Sequence, residues 1–282
     1  MPGIAEMIAQ REGRTAAKNK DLWSAHAKAN RGRIGKWAQT FWQDLNLKTG
    51  VLIAAGPSLA DSVEELRGLD RSKHDIVVVD MALGFLLKAG IRPDYVICSD
   101  ASVEIARTLE VPGIPEDLPL LLSVVVHPET GASWKGPVHW FTTASNIFDR
   151  DIHEWMEQDH KVSSGVPCSL VPGGNVASLG LSFLLGVRAV PKLLLYGADF
   201  CWTDDSRFYC GGVNGDLAAE RIRSETEAGT VYAMKDTRGR AVRTNGSLLN
   251  FVKWFHDRMA QYPGVIENRT PRTILTDGGA SK

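Results

Sequence analysis

The sequence predicts an α/β fold, a mostly parallel sheet with helices on both faces, plus a helical extension at the N-terminus. Three observations predict it. Short apolar runs recur from Val51 onward, helical stretches separate them, and the first fifty residues differ from the rest in charge and period. Strands that are apolar throughout, rather than alternating, are buried on both faces, as in parallel sheets between helix layers. The composition agrees. With 282 residues, 44% hydrophobic and 23% charged, the chain is of the soluble globular class, which excludes disorder and fibrous repeats for the whole. We divide it into an arm, residues 1–50, and one domain, residues 51–282.

The arm comes first. It holds nine Lys or Arg against four acids, so it carries +5 while the remainder carries −6. Trp23, Ile34, Trp37, Phe41 and Leu45 recur at three- and four-residue steps, which suits an amphipathic helix, and Gly32 and Gly35 divide it. A basic face can steer a phosphate-rich partner. An aromatic stripe buries more free energy than exposed charges gain, so the arm is expected to pack rather than to dock.

The domain then alternates. Strands are predicted at Val51–Ala55, Ile76–Val79, Tyr95–Cys98, Leu120–Val126, Val138–Phe141 and Leu193–Tyr196, with helices at Asp61–Leu66, Ala82–Ala89 and Val176–Leu185. Thr230–Met234 and Ala241–Thr244 flank Asp236–Gly239 as a hairpin, and a helix over Ser247–Met259 and a short strand near Val265–Glu267 close the domain. In such sheets ligands sit beyond the carboxyl ends of the strands, where the strand order reverses. The residues just past each strand are therefore the ones to inspect.

Gly56-Pro57-Ser58 follows the first strand and opens a helix, the place for a phosphate-binding turn. It matches neither G-x-G-x-x-G nor the P-loop, and a tight turn capped by Ser58 is the plainer reading. With the turn at the surface, Gly56→Val is expected to block a ligand and spare the fold. Gly173-Gly174-Asn175 repeats the pattern at a second helix start, with Asn175 as cap or ligand contact. Asp80, Asp100 and Asp199 each follow an apolar strand and suit ribose hydroxyls or Mg²⁺, although each is also a turn former. Asp100 is expected to matter more than Asp199.

Other polar residues carry less. His153, Glu157 and His160 read as an exposed helix face, His256 as a core or surface histidine, and Cys201 and Cys210 match no ligand spacing. Four scattered cysteines without C-x-x-C imply a reduced, cytoplasmic protein. No run approaches the ~20 apolar residues of a membrane span. A net charge of −1 argues against nucleic acid as partner, and homo-oligomerisation stays open.

Several segments together resemble a family. Val51–Leu59 with its GPSL loop, Ile91–Asp100, Gly173–Ala177, Leu193–Phe200 and the Asp236–Thr244 hairpin are similar to MptE-like proteins, named for a 6-hydroxymethylpterin diphosphokinase. So, more loosely, is Asn268–Thr270 with Asp277–Ala280. The same domain occurs in motility-associated (Maf) flagellin glycosylation proteins, and bacterial CMP-sialic-acid-dependent sialyltransferases are more distant relatives. The resemblance implies a Rossmann-like fold and a nucleotide-dependent transferase. It places the nucleotide against Gly56, Pro57, Ser58, Gly173, Gly174, Asn175 and Asp199, with Asp80 and Asp100 as catalytic, metal-holding carboxylates. Sialyltransferases carry Asn where Asp80 and Asp100 stand, and a catalytic His in a loop that here, over Phe200–Tyr232, has none. The expected chemistry is therefore Mg²⁺-dependent diphosphate transfer from ATP to a hydroxymethyl group of a small acceptor. The alternative is glycosyl transfer from a CMP- or other nucleotide-activated sugar to a small-molecule or glycan acceptor, and a third reading is a non-catalytic nucleotide-binding module.

Overall fold

The computed structural model describes residues 19–43, 47–143, 154, 156, 158, 168–203, 208–212 and 215–276. In chain order the strands are β1 (Thr49–Ile53), β2 (His74–Val79), β3 (Tyr95–Cys98), β4 (Leu120–Ser123), β5 (Val138–Thr143), β6 (Ser169–Leu170), β7 (Leu193–Tyr196), β8 (Val231–Lys235), β9 (Ala241–Asn245) and β10 (Ile266–Asn268). The helices are α1 (residues 19–30), α2 (Val63–Arg67), α3 (Asp80–Lys88), α4 (Val103–Ala106), α5 (Val176–Ser182), α6 (Gly215–Glu227) and α7 (Gly246–Gln261). Eight strands, all but the β8–β9 hairpin, lie in parallel order, so the fold is the expected mostly parallel, Rossmann-like α/β arrangement. The described residues fall into two compact units.

One unit comprises Leu47–Pro93 and Val190–Lys282. Its strands run in the order β10-β7-β1-β2. Leu193–Tyr196 is buried at every position and β1 at all but its first, which is why both read as continuous apolar runs. The chain moves from β1 to β2 on one side, then adds β7 and β10 on the other. The strand order therefore reverses between β1 and β7. The hairpin turn is made as its composition predicts: Asp236 Oδ1 accepts the N–H groups of Arg238 and Arg240, and Gly239 has φ 78°.

The other unit comprises Met1–Asn46 and Asp94–Ala189, with strand order β3-β4-β5-β6. Of the aromatic stripe, Trp37 is buried and bridges Trp140, while Phe41 is half-buried against Tyr95, His139 and Phe183. Leu45 lies outside the described residues, and Trp42 is exposed. Much of the attachment of residues 19–43 is polar. Asn30 Nδ2 donates to the carbonyls of Val124 and Val126, the His26 ring bonds Val125 O at 3.0 Å, and Arg33 reaches the carbonyls of Pro128 and Thr130. The predicted strand over Leu120–Val126 ends at Ser123, because Val124–Val126 turn to meet these donors. Among the described residues no helix is long and apolar enough to cross a membrane.

Candidate functional site

The reversal between β1 and β7 sets two strand-end turns side by side, Gly56–Ser58 after β1 and Gly197–Asp199 after β7. A third segment, Thr270–Thr273, follows β10 on the far side of β7. Ligands in open α/β sheets collect at such a reversal.

The three segments are joined by specific bonds. Gly56 N–H donates to Gly197 O at 2.8 Å, and Ser58 N–H donates to Asp199 Oδ2 at 2.9 Å. Ala198 N–H donates to Thr270 Oγ1 at 3.0 Å, and Thr273 Oγ1 donates to Ala198 O at 2.7 Å. Arg272 N–H approaches Ser58 Oγ at 3.3 Å, and Ile274 N–H donates to Asp199 O at 3.2 Å. Gly197 has φ 65°, in the left-handed region that favours glycine. Gly56 is glycine for a different reason. Its φ of −63° suits any residue, but a Cβ there would lie 2.1 Å from Asp199 Oδ1 and 2.4 Å from Gly197 O. The expectation that Gly56→Val spares the fold is therefore corrected, since the turn is wedged against buried backbone.

Asp199 is 1% exposed. Burial pushes its carboxyl up to about 7, although the Ser58 hydrogen bonds and the Arg272 guanidinium favour the charged form; Asp61 adds to the upward push. Asp80, at the start of α3, is also buried, and its Oδ1 accepts Met81 N–H at 2.8 Å. A cleft of about 300 Å³ opens beside the β10 end, lined by Thr237, Arg238, Asn268, Thr270, Thr273 and Thr276. Thr270 and Thr273 line the cleft, and their hydroxyls bond the Gly197–Asp199 turn at Ala198. His256, on α7, accepts the Thr276 N–H at Nε2, 3.2 Å away.

The other candidates lie in the second unit. Asp100 is exposed, and its Oδ1 accepts Ser102 N–H at 2.8 Å in a turn that leads into α4. At the start of α5, Asn175 Oδ1 accepts Ser178 N–H at 2.8 Å, while Ser178 Oγ donates to Asn175 O and accepts from Gly173 N–H. Gly174 is exposed with φ 84°. Among the described residues no group of three or more His, Cys, Asp or Glu could hold a metal ion. His153, Glu157 and His160 lie outside the described residues. Cys201 and Cys210 are buried thiols, both pushed up to about 12 by that burial.

Thr270 ends the Asn268–Thr270 segment of the looser family resemblance, Arg272 and Thr273 belong to no motif, and sequence reasoning gave none of the three a role. They lie just past β10, so inspecting the carboxyl end of every strand reaches them once that short strand is placed.

Comparison with solved structures finds a similar fold in the Maf glycosyltransferase from Magnetospirillum magneticum AMB-1. The TM-score is 0.59 at 14% identity, over 91% of this chain and 37% of that one. The present chain thus spans little more than a third of that protein. No curated protein matches the sequence. The family described as 6-hydroxymethylpterin diphosphokinase MptE-like matches residues 27–205, more than half of the chain, from the last turn of α1 past Asp199, and the chain belongs to that family.

Proposed function

We propose that the protein is a nucleotide-dependent transferase that moves a diphosphate group from ATP, with Mg²⁺, to the hydroxymethyl group of a small acceptor. The observation that carries this reading is family membership over residues 27–205, which supports a nucleotide-related transferase of the family kind. In the reaction the acceptor oxygen attacks the β-phosphorus, the bond to the α-phosphate oxygen breaks, AMP leaves, and the hydroxyl proton is released. Phosphoryl-type transfer needs mostly positioning and charge neutralisation.

The β1–β7 reversal is the proposed nucleotide site of its unit. Both the Gly56 and the Ser58 N–H groups are donated to protein acceptors, so the turn offers shape rather than open amides. The positive charge beside it is Arg272, half-buried and close enough to bias the Asp199 carboxyl. We assign Arg272 to the phosphates. Mg²⁺ enters with ATP and needs only one or two protein carboxylates. Asp80 is the candidate carboxylate within this unit, its Oδ1 on Met81 N–H and its Oδ2 buried, and Asp100, exposed, remains a candidate within the other unit. Gly173, Gly174 and Asn175 remain candidates within their own unit. Glycosyl transfer from a CMP- or other nucleotide-activated sugar is the second reading, and the fold shared with the Maf glycosyltransferase favours it.

A thermal-shift panel followed by product analysis separates these readings. Mg²⁺–ATP at about 100 times its dissociation constant should stabilise the fold by about 2.7 kcal/mol, a rise in Tm of several degrees. AMP should then appear only when a hydroxymethylpterin or similar acceptor is added. Stabilisation by CMP or CDP without metal, and none by ATP, would replace the first reading with the second. Saturable ATP binding with no turnover of any acceptor would leave a binding module.

A further inference from the structure

We propose that Asp199 is the positioning residue of the Gly56–Ser58 turn, holding it from beneath rather than touching the nucleotide, a role that rests on the transferase reading only in making that turn a wall of the site. The side chain has no route to solvent at 1% exposure. Its Oδ2 accepts the Ser58 N–H across 141 residues of sequence. Its backbone is clamped in turn: Thr270 and Thr273 hold the N–H and carbonyl of Ala198, and Ile274 N–H holds the carbonyl of Asp199 itself. The carboxyl is thus a fixed post, and the turn is tied to it.

The second oxygen sharpens the inference. Asp199 Oδ1 is buried and has no hydrogen-bond partner among the described residues. It faces the point where a residue-56 Cβ would stand, 2.1 Å away, and the Gly197 carbonyl oxygen lies 2.4 Å from that same point. A buried carboxylate oxygen that receives no hydrogen bond is unfavourable unless the carboxyl carries a proton. Burial favours the same answer, lifting the carboxyl to about 7. The charged or titratable groups that face it are Arg272 from the segment after β10, Asp61 from the turn after Ser58, and Cys201 and Cys210. Both thiols stay neutral below about pH 12. Only Arg272 opposes the proton among these groups, and Asp61 favours it.

A proton held by the folded state and not by the unfolded one fixes the sign of the pH dependence. The folded carboxyl binds its proton more tightly than the unfolded one. The stability it lends is therefore full below about pH 4, falls as pH rises, and is gone above about pH 7. Asn at this position keeps an oxygen for Ser58 N–H and presents N–H₂ where the proton sat, at any pH.

The test compares the full-length protein with Asp199→Asn and Asp199→Ala. Between about pH 4 and pH 7 the Tm of the Asn variant should gain on the natural protein by at least about 3 °C, then level off. In the natural protein the Ser58 amide NMR signal should titrate near pH 7; in the Asn variant it should not. Ala should lower Tm throughout and weaken Mg²⁺–ATP binding by about tenfold or more, and Asn should restore that binding. A pH-independent Tm gap with a static Ser58 signal in the natural protein overturns the proposal. So does an Asn variant of unchanged Tm that no longer binds nucleotide, since the carboxylate would then be a ligand contact. Absence of nucleotide binding by the natural protein removes the transferase reading instead, and leaves the Ser58 titration as an independent measure of the post.

Discussion

Two glycine turns open helical segments in this protein, and they are built on opposite plans. The Gly173–Asn175 turn closes on itself: Asn175 Oδ1 caps Ser178 N–H three residues on, and Ser178 Oγ returns a bond to Asn175 O. The Gly56–Ser58 turn has no such local cap, and the amide of Ser58 goes to Asp199. The glycines differ in the same way. Gly174 is needed for its φ of 84°, a property of its own backbone, whereas Gly56 is needed because distant atoms fill the space beside it. A local turn can be altered without disturbing its surroundings. A turn anchored to a neighbouring strand end transmits every change to the sheet.

The largest effect expected from this contrast is at Gly56. An alanine Cβ would lie inside contact distance of both a buried carboxylate oxygen and a backbone carbonyl, and the carbonyl, being backbone, cannot swing aside. Gly56→Ala should therefore cost about 3 kcal/mol or more in a denaturant titration, at the upper end of overpacking penalties. Gly56→Val should cost more still. A loss below about 1 kcal/mol would mean that the strand-end turns part easily, and that Gly56–Ser58 is as independent as its counterpart.

The contrast also explains what could be read in advance. β1, β2, β3 and β7 show themselves because both faces are buried and each holds a continuous apolar run; β6, two residues long, gives no such signal. Asn175 is recognisable as a cap because its partner lies three residues away. The place of Gly56–Ser58 is recognisable because it follows an apolar run. The direction of its amides is not, since that depends on β7 being the neighbour of β1, and a single sequence does not fix strand order. The same dependence hides Thr270 and Thr273, whose partner is Ala198, and it hides the burial of Asp199 beneath the turn. An acid after an apolar strand signals a rim position, but not which way the carboxyl faces.

Gly174→Ala should have a smaller effect, confined to the turn. An L-residue held at φ 84° costs about 1–2 kcal/mol relative to glycine, and Gly174 is exposed, so no packing loss adds to the strain. Hydrogen exchange should report the loss in the first turn of α5 and leave the strands unchanged. Protection lost across β3–β5 would show that this turn, too, is tied to its sheet.

The smallest effect is expected at Asn175, and it separates cap from ligand contact. The side-chain oxygen supplies one acceptor to the start of α5, so Asn175→Ala should cost about 1 kcal/mol, the usual loss of an N-cap. Asp offers the same acceptor at the same reach and adds a negative charge at the positive end of the helix, so Asn175→Asp should hold Tm or raise it slightly. What Asp lacks is the amide donor Nδ2. Only a role beyond capping, such as a hydrogen bond donated to a nucleotide, would make the Asp variant defective. Calorimetry with Mg²⁺–ATP therefore decides the matter when read beside Tm. Unchanged affinity in a stable Asn175→Asp protein confines the residue to its helix. An affinity loss of about tenfold at constant Tm would put the Gly173–Asn175 turn at the ligand and make it, rather than Gly56–Ser58, the turn that offers polar groups to the nucleotide.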